Sequence, residues 1–254
     1  MKIAILGSNG FIGSSLSQAL RPKHTITDVS RQTLDLLDST DVVDWLENNK
    51  FDVIINAAAV MNNTATDAHN NLGLFMNFFN APYHFGRFIN LGSGAEFDRR
   101  HSIDNAAEED IFKVLPADSY GFGQNIKSRL CYERDNFYTL RIFNCFGTQE
   151  ADTRILKRPE FKITDRYFDY FGIDDLITVV EYYLTADNLP KDINCVYENK
   201  IKVSDFVKLY CKLKNDARDI DIVEGIDINY TGRAKNLSKL KLNLLGVEKC
   251  LMNY

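Results

Sequence analysis

Three glycines near the start of the chain, Gly7, Gly10 and Gly13, have the spacing of a loop that holds a diphosphate. They follow a strand-like run, Lys2–Leu6, and open an amphipathic stretch, Phe11–Leu20, that reads as a helix. In that setting each glycine has a task. Gly7 permits the sharp turn out of the strand, Gly10 lets the backbone come close to a pyrophosphate, and Gly13 lets the helix pack tightly on the sheet. The main chain from Ser8 and Asn9 through Phe11 and Ile12 then offers N–H groups to the phosphates at the positive end of the helix dipole. The chemistry this predicts is the binding of a dinucleotide, NAD or NADP. At the end of the next strand Asp28 is placed to hold the adenine ribose hydroxyls, whereas Ser30 and Arg31 just beyond it are placed to receive a 2′-phosphate. These point to different coenzymes, and the sequence leaves both open.

The elements that must position this loop alternate in type. His24–Val29, Phe51–Asn56, Phe85–Leu91 and Tyr138–Phe143 read as strands; Thr40–Asn49, Asp67–Asn80 and Tyr120–Asn136 read as helices. Asp38 or Ser39 is the expected N-cap of the helix at Thr40. Strands alternating with helices predict parallel pairing through right-handed crossovers. The expected fold is therefore α/β, a Rossmann-type doubly wound parallel sheet. Residues 1–150 are assigned to the dinucleotide-binding domain. Residues 151–254 are assigned to a smaller C-terminal substrate lobe interleaved with the end of the sheet, with helices at Ile173–Thr185 and Val203–Leu213. Asp174 and Asp175 complement the dipole of the first of these.

Bulk properties narrow the function classes. The chain has 254 residues and a net charge of −5, with no lysine- or arginine-rich run, which argues against nucleic acid or an anionic membrane as partner. The longest nearly apolar stretch, Val53–Met61, is interrupted by Asn56 and is too short to span a bilayer. No basic segment followed by a signal-type apolar core opens the chain. The five cysteines are odd in number and form no CxxC pair, so they are expected to be reduced thiols in a cytoplasmic protein. The four histidines have no metal-ligand spacing, and no metal is expected.

Beyond the glycine loop, the order of several segments resembles the extended short-chain dehydrogenase/reductase family, of NAD-dependent epimerase/dehydratase type, and within it the enzymes of nucleotide sugars. Leu34–Ala59 is similar to the corresponding stretch of dTDP-4-dehydrorhamnose reductases and GDP-fucose synthases. The resemblance implies that the turn Asn56, Ala57, Ala58, Ala59 lies along the cofactor, where small residues are needed. Ile89–Phe97 resembles the strand that ends in the family's active-site serine, here Ser93. Ser119–Gln124 resembles the active-site Tyr-x-x-x-Lys segment, with Tyr120 in the tyrosine position. Leu140–Gly147 resembles an Arg-x-x-Asn-x-x-Gly turn in which Asn144 would face the substrate. Tyr167–Leu176 and Gly232–Gly246 resemble later segments of the family, although the C-terminal lobe is shorter than the family usually carries.

The chemistry implied is hydride transfer between a sugar carbon and a nicotinamide, with a proton moved to or from the sugar oxygen. A tyrosine phenol ionises near pH ~10, too high for an efficient base near neutrality. In the family a lysine four residues on lowers that value and bonds the nicotinamide ribose. Here the position holds Gln124. A glutamine amide can bond a ribose hydroxyl, but it carries no charge. Lys127, roughly two helical turns after Tyr120, is the other cation expected near the cofactor. Tyr120 is thus expected to serve as proton donor in reduction and to be a poor base for oxidation, with Ser93 orienting the sugar oxygen.

Two absences narrow the reaction further. Dehydratases of the family carry an Asp-Glu pair just after the serine or threonine, where this chain has Gly94 and Ala95. The cysteine and histidine used for epimerisation by GDP-fucose synthases also lack counterparts, since no histidine follows His101. Glu96 is a candidate substitute acid. What remains is a reductase or epimerase acting at sugar C4; the alternative is a catalytically weak or inactive dinucleotide-binding homologue with a binding or regulatory role. Arg154, Lys157, Arg158, Arg233 and Lys235 are candidates for the substrate diphosphate. Arg154 and Arg233 are taken with Asn144 as the substrate-binding set. The resemblance also implies a homodimer.

Overall fold

The computed structural model of the protein describes residues 1–61, 64–225 and 228–254. Its centre is a six-stranded sheet built from β1 (Lys2–Leu6), β2 (Thr25–Val29), β3 (Phe51–Asn56), β4 (Phe85–Ser93), β6 (Phe137–Ile142) and β10 (Asp192–Cys195). The order across the sheet is β10-β6-β4-β3-β1-β2, and every pairing is parallel. Chain order reverses between β1 and β3, so the loop that leaves β1 opens at a topological switch point.

Residues of the inner strands are apolar on both faces, as burial of a parallel sheet between helices requires. In β1, Ile3 and Ile5 face one way and join a core with α1 (Phe11–Leu20) and α5 (Ile173–Thr185); Ala4 and Leu6 face the other. That second core lies under α2 (Ser39–Asn49) and α3 (Thr66–Phe79), where Phe75, Phe78, Phe79, Phe85, Phe88 and Phe137 form an aromatic cluster. α4 (Ser119–Cys131) packs beside α3 over the same face. Asp38 caps α2, accepting from the N–H groups of Thr40 and Asp41.

A third, smaller core lies in the C-terminal part, between β8 (Phe161–Ile163), β11 (Ile220–Ile222), α6 (Val203–Lys214) and α8 (Gly246–Asn253). The remaining short elements tie the two parts together: β5 (Ile103–Ala106) pairs with β12 (Tyr230–Gly232), β7 (Cys145–Phe146) pairs with β9 (Phe171–Gly172), and α7 (Lys235–Lys239) packs on β10. Between these pieces the chain returns to the central sheet to contribute α5 and β10. Asp175 does more than complement the α5 dipole: buried, it accepts from the N–H groups of Leu245 and Gly246 and so anchors the last segment.

Two element ends differ from the sequence expectation by more than one residue. Strand β4 runs two residues further than Leu91, which sets Ser93 at the strand end. Helix α4 stops at Cys131 rather than Asn136, because the Asn136 side chain donates to the carbonyls of Pro82 and Gly86 and holds the chain in a turn before Phe137 enters the sheet.

Candidate active site

The glycine loop is shaped by close backbone contacts. Gly7 has φ +77°, and a Cβ there would lie 2.7 Å from Ala58 Cα, so the loop and the Ala57–Ala59 turn are pressed together. A Cβ on Gly13 would lie 2.3 Å from the Gly7 carbonyl oxygen. At Gly10 the nearest atom is 3.4 Å away; that face is open to a ligand. Gly10 is the N-cap of α1 and no side chain caps this helix, so its first-turn N–H groups are left for another acceptor. These features fit a dinucleotide diphosphate.

A cavity of about 780 Å³ starts at this loop. Its lining includes Gly10, Phe11, Ile12, Gly13, Ala57 and Ala59 of the cofactor set, Ser93 and Tyr120, and Asn144, Arg154 and Arg166. The remaining residues of the expected cofactor set hold the loop from behind. Ser8 donates to the Val29 carbonyl, Asn9 bonds Gln32, and Ser30 also bonds Gln32. Buried Asn56 donates to Asn90 and accepts from the Ala58 N–H, closing the turn after β3. Asp28 is ion-paired with Arg21, the C-cap of α1, while Arg31 is exposed.

Ser93 is fixed by both its neighbours and a buried charge network. Its Oγ accepts from the Ala95 N–H at 3.2 Å, which leaves its proton free to donate. Its own N–H donates to Glu96 Oε1 at 2.8 Å. Glu96 Oε2 is paired with Arg141 Nε at 2.6 Å, and Arg141 also donates to Asp192 and Asn194. Arg141 and Glu96 are both fully buried. Glu96 is therefore not a substitute acid facing the sugar: its carboxylate is turned inward and occupied. The signal available in the sequence was the arginine itself, a charge set in the middle of the strand Phe137–Ile142.

Burial lifts the Tyr120 phenol above its ordinary value, and the neighbouring Glu96 charge adds to this. Hydrogen bonding to Ser93 and Gln124, together with the Arg99 guanidinium, pulls it back in part. Arg99 lies over the Tyr120 ring at 5.9 Å while paired with Asp118. The net result is a phenol that keeps its proton at neutral pH. Gln124 is buried, and its Oε1 has no partner among the described residues. Lys127 is not part of the cavity lining. It is fully buried, its Nζ has no hydrogen-bond partner among the described residues, and burial, opposed by the Glu96 charge, pushes its ammonium down to about 8.

The Arg154 guanidinium donates to the Asn144 side chain and to the Cys145 carbonyl. Arg166, unremarked in the sequence, lines the cavity, and its Nε has no partner among the described residues. A contiguous recess of about 540 Å³ continues past Arg154 and Arg166 to Arg158 and Lys162. Arg233 does not line that cavity. It is exposed, its N–H donates to the Ala106 carbonyl and its own carbonyl accepts from Asn194. Lys235 is paired with Glu109 and Lys157 sits over the Tyr254 ring. The second residue missed is Tyr230, which lines the cavity beside Ser93 although far away in sequence. Nothing local in its surrounding sequence marks it.

No curated protein sequence matches the chain. Among solved structures it is similar to a dTDP-4-dehydrorhamnose reductase from Clostridium acetobutylicum, with 19% identity, a TM-score of 0.86, and 100% of this chain and 98% of that chain covered. A GDP-mannoheptose C4 reductase from Campylobacter jejuni, solved with NADP bound, is 16% identical with a TM-score of 0.82, covering 100% and 96%. A UDP-glucuronic acid 4-epimerase variant from Bacillus cereus, in complex with a fluorinated UDP-sugar and NAD, is 18% identical with a TM-score of 0.80, covering 100% and 97%. The chain thus spans almost the whole length of these proteins. The sequence of residues 3–163, well over half the chain, matches that of the NAD dependent epimerase/dehydratase family, and to this family the chain belongs.

Proposed function

We propose that the protein reduces the C4 keto group of a nucleotide sugar, using a reduced nicotinamide dinucleotide. The observation that carries this reading is one continuous cavity. It is lined by a helix N-terminus with no side-chain cap at Gly10–Gly13, by two hydroxyls, Ser93 and Tyr120, and by two guanidinium groups, Arg154 and Arg166. A nicotinamide bound along the glycine loop supplies the hydride. The chain's own residues do the rest. Arg154 and Arg166, with Arg158 and Lys162 beyond, hold the substrate diphosphate. Ser93 donates to the sugar oxygen, and Tyr120 gives it a proton as charge builds there. Reduction is favoured over oxidation because burial keeps the Tyr120 phenol protonated and no ammonium stands at Gln124 to draw that proton off. The enzymes named above as similar act at sugar C4, by reduction or epimerisation, which supports the same reading.

NADPH is the coenzyme proposed, since Asp28 is engaged by Arg21 and the neighbouring Arg31 is free to meet a 2′-phosphate. A cytoplasmic location and pairing of two copies belong to the same proposal. The test is oxidation of NADPH and NADH with dTDP-, GDP- and UDP-linked 4-keto hexoses. Turnover with at least one of them is expected, and Tyr120→Phe should lower kcat by about 10²- to 10⁴-fold. Coenzyme binding with no turnover across the panel would overturn the reading and leave a dinucleotide-binding protein.

A further inference from the structure

We propose that Tyr230 is a second catalytic phenol, acting beside Ser93 on the same sugar oxygen as Tyr120. This rests on the C4 reduction proposed above. The argument starts from Gly94, the residue that follows Ser93. A Cβ at Gly94 would lie 2.6 Å from the Tyr230 hydroxyl and 2.5 Å from the Phe143 ring. The space a side chain would occupy next to the serine is filled by a phenol that arrives from the other end of the sequence. Tyr230 is held there firmly. Its N–H donates to Tyr167, its carbonyl accepts from Asp169, and its ring packs 5.1 Å from Phe143 and 5.0 Å from Phe168. Yet it lines the cavity together with Ser93 and Tyr120.

The three hydroxyls divide the work. As the carbonyl carbon takes a hydride from the reduced nicotinamide, which is thereby oxidised, the C=O π pair moves onto oxygen. That oxygen takes the Tyr120 proton, leaving a phenolate. Ser93 Oγ already accepts from the Ala95 N–H, and its proton can be given to an anionic oxygen. Tyr230 supplies the further donor. Burial lifts it above its ordinary value, so its proton is present throughout the neutral range, and hydrogen bonding to Ser93 opposes that rise at both phenols. Gln124 brings no positive charge, Lys127 is turned into the core and Arg99 is paired with Asp118, so a second neutral donor helps to spread the charge that builds on the sugar oxygen.

The decisive variant is Tyr230→Phe, which keeps the ring packing and removes only the hydroxyl. Using the same panel of 4-keto nucleotide sugars, kcat should fall by about 10²-fold with KM and NADPH binding little changed, and Tyr120→Phe with Tyr230→Phe together should fall below either alone. A kcat within about twofold of the parent would overturn the proposal. If the parent turns over no sugar, the reduction reading fails separately, and Tyr230 is then judged by NMR of protein labelled at tyrosine Cζ. Among the 12 tyrosines, Ser93→Ala should move two resonances, the ones lost in Tyr120→Phe and in Tyr230→Phe. Movement of the Tyr120 resonance alone would overturn it.

Discussion

The two walls of the cavity are built by different physics. The glycine-loop wall is main chain against main chain, with Gly7 and Gly13 so close to other backbone atoms that no side chain fits. The Ser93 wall is held by charge in the interior. Glu96 ties the serine N–H to Arg141, and Arg141 ties Glu96 to Asp192 and Asn194 on the edge strand β10. The first wall is local, set within one strand-turn-helix unit and its neighbouring turn. The second depends on residues from β4, β6 and β10 meeting. A backbone cradle tolerates no added atoms, whereas an ion-pair network tolerates no missing partner.

Arg141→Met should produce the largest effect. It leaves Glu96 and Asp192 buried without their guanidinium, at a cost of about 3–5 kcal/mol in stability by thermal or urea unfolding. Glu96→Gln added to it should recover part of that loss, since one buried charge is then removed. An Arg141→Met protein as stable as the parent would show that the charges are not what holds this wall.

Gly13→Ala should cost about 1–3 kcal/mol, because the clash is with the Gly7 carbonyl and α1 must move away from the sheet. Its mark is weakened NADPH binding by calorimetry, with the unfolding of Arg141→Met not reproduced. Equal loss of stability in the two variants, with coenzyme binding intact in Gly13→Ala, would erase the contrast between the walls.

Lys127 gives a smaller effect with a distinctive pH dependence. Its ammonium ionises near about 8 in the folded protein against about 10.4 in the unfolded chain. Between those values the unfolded chain binds more protons, so stability should rise with pH from about 8 to about 10.4. Below about 8 both states are protonated and the burial penalty is fully present. Lys127→Met should therefore stabilise the protein at pH 7 by up to about 3 kcal/mol and flatten that rise. Glu96 and Cys131 are the groups that face this ammonium. A parent whose stability does not change from pH 8 to 10 would place the charge in contact with something that compensates its burial.

Much of the frame was readable along the chain. The alternation of apolar runs in Lys2–Leu6 and Phe51–Asn56, the glycine spacing, and the Asp38 cap are short-range patterns, decided within a few residues by backbone geometry and burial. Ser93 and Tyr120 were singled out by the family resemblance; the structure sets the first at the end of β4 and the second in the first turn of α4, both lining the cavity. Tyr230, Arg166 and the partnering of Glu96 with Arg141 were not legible, because their positions depend on which distant segments the crossovers bring together. The same dependence set Arg233 at the surface. The sequence by itself thus determined a dinucleotide cradle, since main-chain geometry follows from glycine position. Only the tertiary structure decided which charges and phenols surround the serine, since those are side chains from separate strands whose meeting no local pattern encodes.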